Sequence, residues 1–213
     1  MTDIIEAKVT NGVITHKDTS GEMFRYTAVR CGLSWPSAEA SGFYVILGEE
    51  WSGSTIYEGR EGEKGKLILL KEQETASPLL NELLPRITDD CTQFACEEVY
   101  TDLSENFENY ADFYRRYIYD KNINYGRLHD APYFDNFLLG VSIVELWLKD
   151  VLLELPEESI TRHQLRGLSD EDLKDSPEVK FPAVNALRYV VNAFYKFRPS
   201  NLVGWTPDRS CKY

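Results

Sequence analysis

Two kinds of hydrophobic patterning follow one another along the chain. In the first hundred residues apolar positions come in short runs or alternate with polar ones, which is the signature of strands. Residues 24–31 (FRYTAVRC) alternate and are rich in aromatic and β-branched side chains. Residues 42–48 (GFYVILG) are almost continuously apolar, as expected of a strand covered on both faces. Residues 54–57 are a short strand candidate and 66–71 (KLILLK) a stronger one. Ser52-Gly53 and the glycine-bearing stretch from Gly59 to Gly65 supply turns between them.

The period then becomes helical. Ser77 is placed to cap a helix with Pro78 in its first position, and Leu79, Leu80, Leu83, Leu84 and Ile87 form a stripe. Pro85 is expected to kink this helix or to start a second turn. Residues 96–101 (CEEVYT) read as a strand ending at Asp102. Ser104 is a cap for a further helix carrying Phe107, Tyr110, Phe113, Tyr114 and Tyr117. Residues 134–155 recur helically through Phe137, Leu138, Val141, Val144, Leu148 and Leu152; Gly140 weakens a single helix, the β-branched residues leave a strand possible at the start, and Pro156-Glu157-Glu158 ends the segment. Residues 159–178 are polar and read as a surface excursion, with Ser169 a cap for a short helix. Residues 181–197 form the clearest late helix, with Pro182 in the first position and Ala183, Leu187, Val190, Val191 and Phe194 on one face.

Strands, helix, strand, helix and then further helices imply a mixed sheet flanked by helices, an α/β (α+β) fold. The expected division is an N-terminal extension (1–20), a single domain (21–197) and a C-terminal tail (198–213).

Composition narrows the function classes. At 213 residues, with 43% hydrophobic, 13% aromatic and 27% charged residues, the chain reads as soluble and globular. No run approaches the roughly 18 apolar residues of a membrane span, so no membrane association is expected. The first residues lack the basic and apolar regions of a signal peptide. Cys31, Cys91, Cys96 and Cys211 fit neither a zinc pattern nor a disulfide framework, and reduced thiols in a cytoplasmic protein are expected. His16, His129 and His163 are scattered and read as packing or surface residues. The net charge of −12 argues against general DNA binding, which needs a surplus of Lys and Arg. That charge is uneven. Residues 179–213 carry a net +5 through Lys180, Arg188, Lys196, Arg198, Arg209 and Lys212 against Asp208, which leaves −17 on the rest.

Among motifs of chemistry, Walker A, G-x-G-x-x-G and G-x-S-x-G are absent, and Leu128-His129-Asp130 has no nucleophile in view. The aromatic series from Phe107 to Tyr117 would suit base stacking. Its interleaving with Glu105, Glu108 and Asp112 favours a helix packed on the core.

Three segments carry a resemblance to a known family. Residues 26–33 (YTAVRCGL) with 42–48 resemble its first two strands around a "V-D-P-G" type turn; residues 98–102 (EVYTD) resemble its fourth strand ending in an acid; residues 181–189 (FPAVNALRY) resemble a late helix of the form "D-H-A-x-D-A-L-R-Y". The family is the ribonuclease H-like superfamily, and within it the nuclease domain of phage large terminases. The resemblance implies a ribonuclease H-like mixed sheet flanked by helices over about residues 20–197, and a site of clustered carboxylates holding two divalent metals. It also places acids at three positions of this chain, which are Arg30 (or Cys31 in a shifted register), Asp102 and Asn185. Only Asp102 keeps a carboxylate, and an arginine at a metal site repels the metal. The implied reading is a stand-alone, catalytically degenerate domain of phage or prophage origin, without cofactor, that acts as an interaction or structural module with a protein partner. One alternative is an active Mg²⁺- or Mn²⁺-dependent nuclease whose metal ligands are Asp102 with Glu50, Glu72 or Glu178. Another is an acidic protein that binds a basic partner. Glu49, Glu74 and Glu105 stand near the same strand ends and read as solvated turn residues.

Overall fold

In the computed structural model, which describes residues 4–37, 40–51, 65–75, 79–169, 171–172 and 180–196, the chain opens with a hairpin. Asn11 and Gly12 both take positive φ, 52° and 77°, as a two-residue turn matched to strand twist requires. They join β1 (Ile4–Thr10) to β2 (Val13–Asp18). The meander continues through β3 (Met23–Ser34), β4 (Gly42–Glu50) and β5 (Leu67–Thr75), each antiparallel to the one before. Then come α1 (Leu80–Gln93), β6 (Glu98–Thr101), a 3₁₀ turn (Glu105–Phe107), α2 (Glu108–Lys121), β7 (Arg127–Asp130), α3 (Phe137–Lys149), β8 (Leu153–Glu154), α4 (Ile160–Arg166) and α5 (Pro182–Lys196).

The crossover from β5 through α1 brings β6 back parallel to β3, and the crossover through α2 brings β7 parallel to β6. Across the sheet the order is β7-β6-β3-β4-β5-β8. β3 is long enough to share one edge: residues 23–26 pair with β2 and residues 30–33 with β6. β4 lies at the centre, and residues 42–48 are all buried, as their unbroken apolar run requires. Tyr44 and Ile46 face the layer containing α1 and α2, while Phe43, Val45 and Leu47 face α3 and α5.

Several local expectations need revision. The segment 1–20 supplies two strands whose inner side chains, Ile4, Ile14 and His16, are buried. Pro85 does not break α1, which runs unbroken from Leu80 to Gln93. The apolar stretch 134–155 is not one helix: α3 ends at Lys149, Val151 turns the chain at φ 57°, and β8 adds to β5. The polar stretch 159–178 begins with α4, packed against α5. Ser104 precedes the 3₁₀ turn and makes no side-chain cap. The strand candidate 54–57, the cap Ser77-Pro78, Glu178 and the tail 198–213 lie outside the described residues. No helix among the described residues is long and apolar enough to cross a membrane.

Candidate active-site region

α5 reaches the sheet because β3 carries a glycine beneath it. A Cβ on Gly32 would stand 1.9 Å from the carbonyl oxygen of Ala186 and 3.0 Å from the amide nitrogen of Val190. Backbone therefore lies on backbone, and α5, with Asn185 next to Ala186, packs on the parallel strands β3 and β6. The paired residues are Arg30 with Glu98, Cys31 with Val99, Gly32 with Tyr100 and Leu33 with Thr101. One residue beyond the last pair come Ser34 and Asp102, both buried. Thr101 Oγ1 donates to the Leu33 carbonyl at 2.7 Å and stitches these two strand ends together.

Each predicted acid position has a definite occupation. The Asp102 carboxylate closes a turn, where its Oδ1 accepts from the Ser104 amide at 2.7 Å; its carbonyl accepts from Trp35 Nε1 at 2.9 Å. Arg30 lies four residues before Ser34, about 13 Å along the strand at ~3.3 Å per residue. Arg30 Nε donates to Glu98 Oε2 at 2.8 Å, and its guanidinium rests 4.7 Å from the Phe194 ring centroid. Partial burial would raise the Glu98 carboxyl, but the Arg30 pair, the Tyr100 hydroxyl and His129 outweigh it, and the net displacement is downward. Arg30 and Asp102 thus belong to different rows of the sheet.

Asn185 is bound to a neighbour on its own helix. Arg188 Nε donates to Asn185 Oδ1 at 2.8 Å, while its Nη1 and Nη2 donate to the carbonyls of Tyr133 and Phe134 at 3.0 and 2.8 Å. The guanidinium is fully buried between the rings of Phe137 and Tyr189. The planar fork of arginine suits this task, with several carbonyls met from one charged plane.

The displaced carboxylates do not converge on Asp102. Glu50 pairs with Tyr26, eight residues from Ser34 and about 26 Å away along β3 at ~3.3 Å per residue. Glu72 is buried at the start of α4. It accepts from the Ser159 and Thr161 hydroxyls at 3.0 and 2.6 Å and from the Ile160 and Thr161 amides at 2.8 and 3.1 Å. A carboxylate at a helix N-terminus satisfies amides that lack helical partners. α4 in turn holds α5, since Gln164 Oε1 accepts from the Ala183 amide at 2.9 Å. Glu72→Gln is therefore expected to cost about 2–3 kcal/mol, as an amide turns donors toward donors. Urea unfolding would measure it, and a loss below about 0.5 kcal/mol would remove this role.

Among the described residues, no three His, Cys, Asp or Glu side chains are grouped to hold a metal ion. The three acid positions offer one carboxylate, already engaged in a turn, so this donor set does not fit a pair of divalent metals. The residues missed from sequence are Ser34, Glu98 and the Tyr133–Phe134 carbonyls.

No protein-family model matches the chain, and no curated protein sequence matches it significantly. Among solved structures, the large terminase nuclease of the thermophilic phage G20c, solved with bound zinc, superposes over 92% of this chain and 95% of its own, with a TM-score of 0.52 and 9% identity. The large-terminase nuclease domain of bacteriophage SPP1, solved with bound Mn, covers 80% of this chain and 87% of its own at 14% identity and a TM-score of 0.47. At such identity the first likeness establishes fold alone. The chain therefore shares the fold of the G20c terminase nuclease, a mixed sheet flanked by helices, as its strand order expects.

Proposed function

We propose that this chain is a terminase-nuclease-like domain of phage or prophage type in which metal-dependent cleavage has been lost, and that it serves as an interaction or structural module for a protein partner. One observation carries this reading. The three acid positions are held by side chains with structural duties: Arg30 in an ion pair with Glu98, Asp102 in a turn, and Asn185 on the buried Arg188. A nuclease of this fold needs several converging carboxylates, because hard divalent cations take oxygen ligands. Glu72 supports the reading by its engagement at α4, and Glu50 by its distance from Asp102.

The test is cleavage of single- and double-stranded DNA with Mg²⁺ or Mn²⁺. The expected result is no cutting above the no-protein control, with Asp102→Ala indistinguishable from the parent. Strong cutting that Asp102→Ala abolishes would establish the active nuclease instead.

A further inference from the structure

His16 sits in the middle of β2 with its side chain completely buried. It pairs across the ladder with Ala7 on one side and Phe24 on the other, and its ring packs against Tyr26 at 4.9 Å and Phe94 at 5.6 Å. Nε2 stands 2.8 Å from the Phe94 carbonyl. A carbonyl only accepts, so Nε2 carries the proton in the neutral ring. Nδ1 is buried and has no hydrogen-bond partner among the described residues. A second proton would have to go there, producing a buried cation whose new N–H meets no acceptor.

A second hydrogen bond ties the hairpin to the end of α1, where Gln93 Nε2 donates to the Ile4 carbonyl at 2.7 Å. We infer that the β1–β2 hairpin is an acid-released clasp: protonation of His16 detaches it from the Phe94 corner and uncovers residues 23–26 of β3 together with the apolar surface formed by Ile4 and Ile14.

The neighbouring charges leave this step to His16. On its own strand Asp18 shares its face, but that carboxylate is directed to the Ser20 hydroxyl and to the Ser20 and Glu22 amides, which hold it below the usual range. On β1, Glu6 and Lys8 are exposed and pair with each other. On β3, burial and then Glu50 push the Tyr26 hydroxyl up to about 12. At the end of α1, the groups that meet the imidazole among the described residues are the uncharged Phe94 carbonyl and ring. Burial lowers the imidazole below its ordinary value more than the Phe94 carbonyl raises it. The released hairpin therefore takes up a proton that the closed one refuses. Closure is full above about pH 6.5 and weakens as pH falls from there toward the lower folded value.

Amide hydrogen exchange, corrected for the intrinsic pH dependence of exchange, tests this on the full chain. Between pH 7.5 and pH 5, protection of β1 and β2 is expected to fall relative to β4, by no more than the roughly 30-fold that the proton linkage of one histidine allows. His16→Gln supplies a donor to Phe94 and does not titrate, so its β1–β2 protection should not change with pH. NMR titration of the wild-type His16 ring should give a midpoint below 6.5 that coincides with shifts of the hairpin amides. Protection that is flat with pH in the wild type, or an acid response retained in His16→Gln, would overturn the clasp. So would an imidazole midpoint at or above 6.5.

Discussion

Gly32→Ala is expected to lose more than about 4 kcal/mol of stability, among the largest effects a single methyl group can have. The added carbon would stand 1.9 Å from the Ala186 carbonyl oxygen and 2.9 Å from its carbon, both backbone atoms that no rotamer change can move aside. Either α5 lifts from β3 or the strand bends away, and in both cases the layer of Ala183, Ala186, Leu187 and Val190 separates from the sheet. Ordinary overpacking costs about 1–3 kcal/mol because side chains yield, whereas here backbone must yield. Chemical denaturation would measure the loss, or a fall in soluble yield if the variant does not fold. A variant within about 1 kcal/mol of the parent would show that α5 does not rest on Gly32.

Arg188→Met should lose about 3–5 kcal/mol, because three buried acceptors lose a donor at roughly 1–3 kcal/mol each. Methionine fills part of the same volume, but it leaves the Tyr133 and Phe134 carbonyls and Asn185 Oδ1 without their donor. Arg188→Lys separates charge from shape. It keeps the charge but cannot serve the two carbonyls and Asn185 from one plane, so it should recover less than half of the loss. Full recovery by lysine would show that charge alone matters. Both variants are read by the midpoint of urea unfolding.

The parts of the fold legible in the sequence are those set by dominant periodicity. β3, β4, β5, β6 and α5 stand where alternation, continuous apolarity or an apolar helical stripe places them. The hairpin β1–β2 escaped because the segment 4–18 alternates weakly between Glu, Lys and Thr. Asn11-Gly12 was nevertheless a strong turn signal. β8 escaped because two residues carry too little pattern to detect, and β7 because its sequence RLHD has a single apolar residue, Leu128. α4 escaped because its buried anchor is polar: Thr161 and Ser159 face Glu72, and no hydrophobic stripe reports such contacts.

The acid positions show where motif matching runs out. Asp102 stands one residue beyond the last β3–β6 pair, level with Ser34, but Arg30 is a full four residues down β3. Residue type alone does not reveal strand register, and Ser34 beside Asp102 became visible only through the pairing of β3 with β6. Arg188 left a trace, as the lone cation within the apolar stretch of 181–194. A cation among apolar neighbours on a buried helix needs carbonyl partners, and the turn carrying Tyr133 and Phe134 provides them.

β3 has one further consequence, for the order in which the molecule is assembled. Its pairings with β2 and β4 join chain neighbours and can form as soon as those strands leave the ribosome. Its pairing with β6 and its cover by α5 join distant segments and must wait for the loops between them to close. During synthesis the meander therefore stands with the Gly32 face bare until α5 emerges. The same glycine that admits α5 so closely keeps that waiting surface flat and open, and it is during this interval that a growing chain is most exposed to pairing with another copy of itself.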